Sequence, residues 1–144
     1  MAKIERFTFL AAVYLILIKD GKVLLLRRCN TSYQDGNYGL VSGHLEGGET
    51  AKQGIIREAY EEAGIILNPE DLEVVNIMQV REYFNIFLRA EKWSGDIINK
   101  ELDKCDDLAW YDLNGLPKNI VPEIKFALEN DIKKLQYTEF GWAD

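Results

Sequence analysis

Three glutamates, Glu58, Glu61 and Glu62, lie close together in the sequence. If this segment is helical, the spacings i, i+3 and i+4 place the three carboxylates on one face. Like charges this close repel one another, so the face is unfavourable unless a cation binds to it. Carboxylate oxygens in this number suit Mg²⁺ or Mn²⁺ better than zinc, for which Cys and His ligands are expected. The trio therefore predicts a divalent metal site of the kind used in phosphate chemistry.

The alternative is a solvated amphipathic helix, because glutamate favours helices and most charge runs face water. The surrounding residues favour the metal site. They fit the pattern G-x5-E-x7-R-E-U-x-E-E-x-G-U, in which U is an aliphatic or small apolar residue. The constrained positions are filled, in order, by Gly43, Glu49, Arg57, Glu58, Ala59, Glu61, Glu62, Gly64 and Ile65. On these residues the chain closely resembles the Nudix hydrolases.

The resemblance implies a mechanism in which the glutamates of this box hold a metal ion. A water molecule then attacks a phosphorus of a nucleoside diphosphate linked to another group X. By the same resemblance, Glu58 and Glu62 are the expected direct ligands. Glu61 is expected to bind the metal directly or through water, or to help deprotonate the nucleophile. The backbone carbonyl of Ser42 is a further candidate ligand.

Arginines on both sides of the box are candidates for structural or substrate contacts. Arg57 and Glu49 are expected to form a bidentate ion pair that holds the loop against the helix, and direct substrate contact by Arg57 is the alternative. Arg28 matches a phosphate-contacting position in relatives, and Arg27 beside it is a second candidate. Because side chains alternate along a strand, one of these two is expected to point to solvent.

Many relatives supply a fourth acidic ligand from a loop outside the box. We favour Glu101 over the other acidic residues that precede Trp110, which are Asp103, Asp106 and Asp107. His44, the sole histidine, is interpreted as a loop residue whose side chain could touch a phosphate. Just before the box the chain reads YGLVSG where relatives often carry Trp-x-Leu-Pro-Gly-Gly. The missing proline and glycine change the stiffness of this turn and leave the geometry of the metal-binding carbonyl open.

Hydrophobic patterns predict the elements that position these residues. The box helix is expected to begin near Thr50, a capping residue, and to end at Gly64. A last helix is expected to start near Pro122. Gly54 inside the box helix suggests that backbone from elsewhere approaches closely. Strands are expected over 13–18, 23–28, 38–42, 72–80, 83–90 and 108–111, the first two joined by an Asp-Gly turn.

Strands on both sides of one helix, with a second helix at the end, indicate an α/β (α+β) fold with a mixed sheet between helices. The resemblance independently implies the Nudix-type α/β/α sandwich. At 144 residues the expectation is a single domain over 1–144. Four aromatic residues of the strands could stack on a base, but core packing is expected for each of them: Tyr14, Tyr38, Phe84 and Phe87.

Charge and composition bound the partners. A formal net charge of −7 disfavours nucleic acid polymers and anionic membranes. The longest apolar run, 9–18, is too short to span a bilayer. Cys29 and Cys105 suit a reducing compartment, so a cytoplasmic location is expected. The expected partner is a small-molecule nucleotide complexed with Mg²⁺ or Mn²⁺, and a homodimer is the family-level expectation.

The short form resembles the nucleoside-triphosphate pyrophosphohydrolases, including those that clear oxidised nucleotides. Conversion of an NTP or dNTP to the monophosphate and pyrophosphate is therefore predicted. An ADP-ribose or other nucleotide-sugar pyrophosphatase is the second enzyme class. A non-catalytic nucleotide sensor is disfavoured because Arg57 and all three glutamates are retained. A purely structural module would leave the acidic face unexplained.

Overall fold

The computed structural model describes residues 4–142, and within them a mixed sheet of eight strands lies between two helices. The helices are α1 (Ala51–Ala63) and α2 (Pro122–Lys133). The strands are β1 (Leu10–Lys19), β2 (Lys22–Arg28), β3 (Tyr38–Gly39), β4 (Val41–His44), β5 (Glu73–Val80), β6 (Tyr83–Ala90), β7 (Cys105–Asp112) and β8 (Tyr137–Glu139). A short 3-10 turn covers Pro69–Asp71. The predicted α/β/α arrangement is confirmed.

β1 is the central strand, and its neighbours change along its length. It pairs with β6 in parallel, which sets Ala12 opposite Asn85, and with β4 antiparallel, which sets Tyr14 opposite Ser42. β2 pairs with β1 only at the end nearest their connecting turn. Farther along, β2 pairs with β3 and β7 instead. The two halves of the sheet therefore diverge, and a cleft opens between them.

Two hydrophobic cores cover the two faces of β1, because successive side chains of a strand point to opposite sides. On the α1 side the core includes Val13, Leu15 and Leu17 with Ile55, Ala59 and Ala63 of the helix. On the α2 side it includes Ile16, Ile18 and Phe87 with Ile124, Ala127 and Leu128 of the helix. This double burial explains the uninterrupted apolar run in the sequence.

Both ends of α1 form as predicted. The Thr50 hydroxyl accepts a hydrogen bond from the Gln53 backbone N–H at 3.1 Å, and Gln53 Oε1 accepts one from the Thr50 backbone N–H at 2.8 Å. Gly64 ends the helix in the left-handed region at φ 69°. At Gly54 a Cβ atom would lie 2.4 Å from Leu45 Cδ2. The close approach at this glycine thus involves a side chain of the preceding loop, and the expected backbone contact is wrong.

Turns account for two further features. Asp20 and Gly21 both adopt positive φ, 52° and 74°, as a tight two-residue hairpin turn requires. The sequence left open whether Arg81 and Glu82 form a turn or continue one long strand. They form a turn, in which Arg81 has φ 53°. β5 and β6 are therefore an antiparallel hairpin.

Some predicted boundaries differ from the structure. The predicted strand 38–42 is divided at Leu40 into β3 and β4, because β3 pairs with β2 while β4 pairs with β1. β7 begins three residues before the predicted strand 108–111. α2 begins at Pro122 as predicted and ends at Lys133. β8 was not predicted.

Between residues 4 and 142, no helix is long and apolar enough to cross a membrane.

Candidate active site

A cleft of about 990 Å³ lies where β1 and β2 diverge, and it has two chemically different ends. The acidic end, on the α1 side of the sheet, comprises Glu58, Glu61, Glu62 and Glu101. The aromatic end, on the α2 side, comprises Tyr14, Tyr33, Tyr83, Asn85 and Ile124. Arg28 also lines this cleft, at the end of β2. Such a cleft can hold an elongated molecule that is anionic and metal-bound at one end and aromatic at the other.

Glu58 lies directly against the backbone of Gly43. A Cβ atom at position 43 would fall 2.2 Å from the Glu58 carboxyl carbon, so only glycine leaves room for this carboxylate. The Glu58 side chain is 14% exposed. Burial raises its pKa above the ordinary value, although the neighbouring Arg57 acts in the opposite direction. The first glycine of the box is therefore explained by close packing against a carboxylate.

Glu62 is the most enclosed of the three box glutamates. Its Oε2 accepts a hydrogen bond from the Ser42 backbone N–H at 3.2 Å. Burial, together with repulsion from the Glu58 carboxylate, raises the pKa of Glu62 from about 4.5 to about 8. Glu61, by contrast, has a side chain that is 53% exposed. The three carboxylates thus occupy different environments although they share one helical face.

Arg57, a residue of α1, connects this helix to the loop between β4 and α1. It donates two hydrogen bonds to Glu49, from Nη2 to Oε1 at 2.7 Å and from Nε to Oε2 at 3.1 Å. This is the bidentate pair that the sequence predicted. Nη1 also contacts Glu58 Oε1 at 2.6 Å and Glu61 Oε2 at 3.5 Å, and Nη2 donates to the His44 carbonyl at 3.3 Å. One guanidinium therefore both fixes the loop and balances charge in the acidic end.

Of the four acidic residues proposed as an additional ligand, Glu101 is the one that lines the cleft. Its negative charge adds to the effect of burial in raising the pKa values of Glu58 and Glu62. Asp106 instead pairs with Arg27 at 2.7 Å, and Asp107 accepts a hydrogen bond from the Tyr38 hydroxyl.

The two arginines at the end of β2 have different surroundings. Arg28 lines the cleft, donates from Nε to the Tyr33 carbonyl at 2.8 Å and lies over the Tyr33 ring. Arg27 is held by its pair with Asp106 and is not among the described residues that line the cleft. The expected alternation thus assigns Arg28 to the cleft. His44 is the last residue of β4, so its interpretation as a loop residue is wrong. It also lines the cleft, with its ring centroid 5.6 Å from that of Tyr83.

The acidic end fits a hard divalent cation by donor chemistry. Among residues 4–142, no three Glu, Asp, His or Cys side chains already converge as a metal-binding cluster. The carboxylates of Glu58 and Glu61 instead both contact the Arg57 guanidinium. Glu58, Glu61, Glu62 and Glu101 nevertheless bring four carboxylates to one end of one cleft. Glutamate side chains reach a bound ion by rotation, and oxygen-only donors suit Mg²⁺ or Mn²⁺.

Sequence reasoning missed most of the aromatic end. The Tyr14 ring packs against the core on the α2 side as expected, stacked on Phe87 with centroids 4.7 Å apart, and it also lines the cleft. Tyr38 and Phe87 are buried as expected. One residue in the sequence could have indicated this end of the cleft. Asn85 is polar, although the segment from Tyr83 to Leu88 is otherwise apolar or aromatic.

The sequence matches the NUDIX domain family over residues 8–130, which is most of the chain. The chain therefore belongs to the Nudix hydrolase family. It is 34% identical over 106 residues to the ADP-ribose pyrophosphatase of Methanocaldococcus jannaschii, covering 72% of this chain and 62% of that protein. It is 28% identical over 116 residues to the NAD-capped RNA hydrolase NudC of Pseudomonas aeruginosa, covering 79% of this chain and 40% of that protein. The chain thus spans less than two thirds of the length of these curated relatives.

Solved structures share the fold. The MutT NUDIX hydrolase of Burkholderia pseudomallei superposes with a TM-score of 0.77 at 24% identity, covering 83% of this chain and 95% of that one. A bifunctional NMN adenylyltransferase/ADP ribose pyrophosphatase of Francisella tularensis, complexed with AMP and a Mn ion, gives 0.67 at 18% identity, covering 90% of this chain and 42% of that one. Nudix hydrolases generally use a divalent metal, which agrees with the oxygen donors of the acidic end.

Replacing Arg57 with Lys should lower both the melting temperature and kcat, the latter by about tenfold or more. Lysine keeps the charge but cannot form two parallel hydrogen bonds to Glu49. The loop between β4 and α1 is then no longer held in a fixed position relative to Glu58. Arg27→Lys is the matched control, because its exposed pair with Asp106 contributes little to stability. Thermal melts and steady-state kinetics check both variants. Equal effects of the two substitutions would contradict a special role for Arg57.

Proposed function

We propose that this chain is a Mg²⁺- or Mn²⁺-dependent hydrolase that converts an NTP or dNTP, oxidised nucleotides included, to the monophosphate and pyrophosphate. The observation that carries the proposal is the two-ended cleft. Four carboxylates at the acidic end suit a metal-bound phosphate chain, and Arg28 lies in the same cleft. The tyrosines of the aromatic end offer surfaces on which a base can stack.

In the proposed reaction, water attacks a phosphorus of the α–β anhydride, and the bond to the leaving phosphate oxygen breaks. Bound metal supplies charge neutralisation and a lower pKa for coordinated water. Glu58 and Glu62 are the proposed ligands, assisted by Glu101 and by the Ser42 carbonyl. Glu61 is the most exposed of the box carboxylates and is proposed to bind the metal or to accept the proton of the attacking water. Arg28 orients the phosphate chain, and Arg57 positions Glu58.

Hydrolysis of ADP-ribose is the second candidate function. It is favoured by the relative of that name in Methanocaldococcus jannaschii, at 34% identity. This reaction uses the same acidic end, because the bond broken is again a phosphoanhydride. The products separate the two candidates, since ADP-ribose yields AMP and ribose 5-phosphate without pyrophosphate.

The test is a substrate panel assayed with Mg²⁺ and with Mn²⁺. It contains the NTPs, dNTPs, oxidised dNTPs and ADP-ribose, and product analysis distinguishes pyrophosphate, phosphate and AMP. Pyrophosphate release from one or more triphosphates is the expected result. Turnover of ADP-ribose alone would replace the first proposal with the second. Tight nucleotide binding without turnover of any compound would identify a sensor and overturn both.

We further propose that residues 1–144 form one domain, acting in the cytoplasm on a small-molecule nucleotide rather than on a nucleic acid polymer. The net charge of −7 supports this choice of substrate, because polyanions are repelled except where local cations assist. The possible homodimer is tested by sedimentation of the purified chain.

A further inference from the structure

Arg28 is held in the cleft by the segment that follows β2. Its Nε donates a hydrogen bond to the Tyr33 carbonyl at 2.8 Å, and its Nη2 donates one to the Thr31 hydroxyl at 3.3 Å. Within residues 4–142, Nη1 of Arg28 donates no hydrogen bond, and the guanidinium forms no ion pair with a carboxylate. Arg28 therefore keeps one amino group and its charge for a molecule in the cleft.

The Thr31 hydroxyl that binds Arg28 is itself oriented by Asp35. Oγ1 of Thr31 donates to Asp35 Oδ1 at 2.5 Å, and the backbone N–H groups of Thr31 and Ser32 donate to the same carboxylate at 3.1 Å and 3.0 Å. These bonds, led by the one from the Thr31 hydroxyl, lower the pKa of Asp35 below its ordinary value. The carboxylate is therefore charged at neutral pH.

The single proton of the Thr31 hydroxyl sets the direction of this chain of contacts. A carboxylate is a stronger acceptor than the Tyr33 carbonyl, which lies 3.0 Å from the same hydroxyl. With its proton on Asp35, the hydroxyl oxygen can only accept, and its lone pairs are available to Nη2 of Arg28. Asp35 thus holds Arg28 through Thr31 without touching it.

Arg27, the preceding residue, shows the alternative arrangement. Its Nε contacts Asp106 Oδ1 directly at 2.7 Å, outside the described lining of the cleft. A direct carboxylate partner balances the charge of a guanidinium and occupies its donors. A carboxylate that acts through a hydroxyl orients the guanidinium and leaves its charge available. The two neighbouring arginines are therefore held in ways that suit different roles.

We infer that Asp35 and Thr31 are positioning residues for Arg28, which they immobilise with Nη1 free to bind a phosphate oxygen. This inference rests on the proposed function, which assigns Arg28 to the phosphate chain. An arginine that is fixed before the ligand arrives loses less side-chain entropy when it binds. The expected effect is tighter binding of the phosphate chain, which appears in KM more than in kcat.

The kinetic test removes the hydroxyl and then restores it. Thr31→Val keeps the shape of the side chain and the backbone bonds to Asp35. Its KM for the triphosphate hydrolysed fastest in the substrate panel should rise about three- to tenfold, with kcat within about twofold of wild type. Thr31→Ser retains a hydroxyl and should stay within about twofold of the wild-type KM. An unchanged KM in Thr31→Val, or an equal rise in both variants, would overturn the inference.

A double-mutant cycle with Arg28→Ala tests whether Thr31 acts through the arginine. In the Arg28→Ala background, Thr31→Val should change KM by less than about twofold, because the group that it positions is gone. Thr31 also lines the cleft, so a direct contact with the ligand is the competing explanation. The full effect of Thr31→Val in the Arg28→Ala background would mean direct contact or a purely structural role, and would overturn the inference.

Asp35→Ala and Asp106→Ala form a matched pair, because each removes a carboxylate that serves one of the two arginines. Asp35→Ala should raise KM at least as much as Thr31→Val, since the hydroxyl and two backbone N–H groups lose their acceptor. Asp106→Ala should leave KM within about twofold of wild type. Equal KM values for the two variants would contradict the assignment of Asp35.

A binding test does not require turnover and so separates this inference from the proposed function. In calorimetric titration with inorganic pyrophosphate and Mg²⁺, Thr31→Val should bind about three- to tenfold more weakly than wild type, and Thr31→Ser should bind like wild type. This result can hold even if no nucleotide is hydrolysed, in which case the proposed function fails and the inference stands. Equal affinity in all three proteins, or no binding by the wild type, would overturn the inference whatever the kinetics show.

Discussion

Replacing Glu62 with Gln should lower kcat for the metal-dependent reaction by roughly 10³-fold while leaving the fold intact. Glu62 is the most enclosed carboxylate of the acidic end, and the amide keeps its shape and can retain one oxygen toward the Ser42 N–H. What is lost is one full negative charge facing the proposed metal. Steady-state kinetics over a range of Mg²⁺ concentrations check the result. An active Glu62→Gln enzyme would mean that the ligand assignment is wrong.

The same variant should change the pH dependence of stability in the metal-free protein. Glu62 has a pKa of about 8 in the fold and about 4.5 as an ordinary glutamate. Between these values the unfolded chain has released the proton while the folded chain still holds it, so the free energy of unfolding falls as pH rises. Relative to the wild type, Glu62→Gln should therefore gain stability from about pH 5 to pH 8, and the difference should vanish near pH 4.

Addition of Mg²⁺ provides the control for this comparison. Binding to the folded state should raise the melting temperature of the wild type, and much less that of Glu62→Gln. Equal stabilisation of both proteins would place the metal elsewhere. Melting curves at several pH values, with EDTA or with MgCl₂, separate the proton effect from the metal effect in one set of samples.

The acidic end could be predicted from sequence because its chemistry is local. Glu58, Glu61 and Glu62 belong to one helix, whose start at Thr50 and end at Gly64 carry their own signals. The pair between Arg57 and Glu49 spans eight residues, so a fixed spacing also reports it. For the three glutamates, helical geometry alone brings the side chains together.

The aromatic end could not be predicted in the same way, because it is assembled from distant segments. Tyr14 and Asn85 become neighbours only through the parallel pairing of β1 with β6, and Ile124 comes from α2. Strand order is not encoded in the periodicity of any one segment. The division at Leu40 has the same origin, because β3 and β4 follow different partner strands. β8 is three residues long and pairs with β5 across a long sequence separation.

The two ends are also under different physical constraints. At the acidic end like charges are gathered at a cost to stability, which the proposed metal ion would offset on binding. At the aromatic end the amide oxygen of Asn85 is left unpaired among residues 4–142, which costs about 1–3 kcal/mol in a typical buried site. Both features are expensive for the isolated fold, and both face the same cleft. Such local conflicts with stability are typical of functional sites.

Replacing Gly43 with Ala should lower kcat by about 100-fold or more with little change in melting temperature. The added methyl would occupy the space of the Glu58 carboxylate, whose carbon lies 2.2 Å from the new Cβ position. The end of a glutamate side chain can rotate away, so the fold survives, but Glu58 then leaves the position from which it is proposed to bind the metal. The backbone of β4 has no positive φ at this residue, so alanine adds no strain of its own.

Gly47→Ala is the matched control for Gly43→Ala, because it places the same methyl group four residues farther on, in the loop after β4, with no atom within 4 Å of the new Cβ. It should leave kcat and the melting temperature near wild-type values. Metal titrations distinguish the cause of any loss in Gly43→Ala, since displacement of Glu58 weakens Mg²⁺ binding and shifts half-activation to higher metal concentration. If Gly43→Ala keeps full activity at low Mg²⁺, Glu58 tolerates displacement and is not a direct ligand. If both alanine variants lose activity alike, the loop requires glycine for its flexibility, and contact with the carboxylate is not the reason.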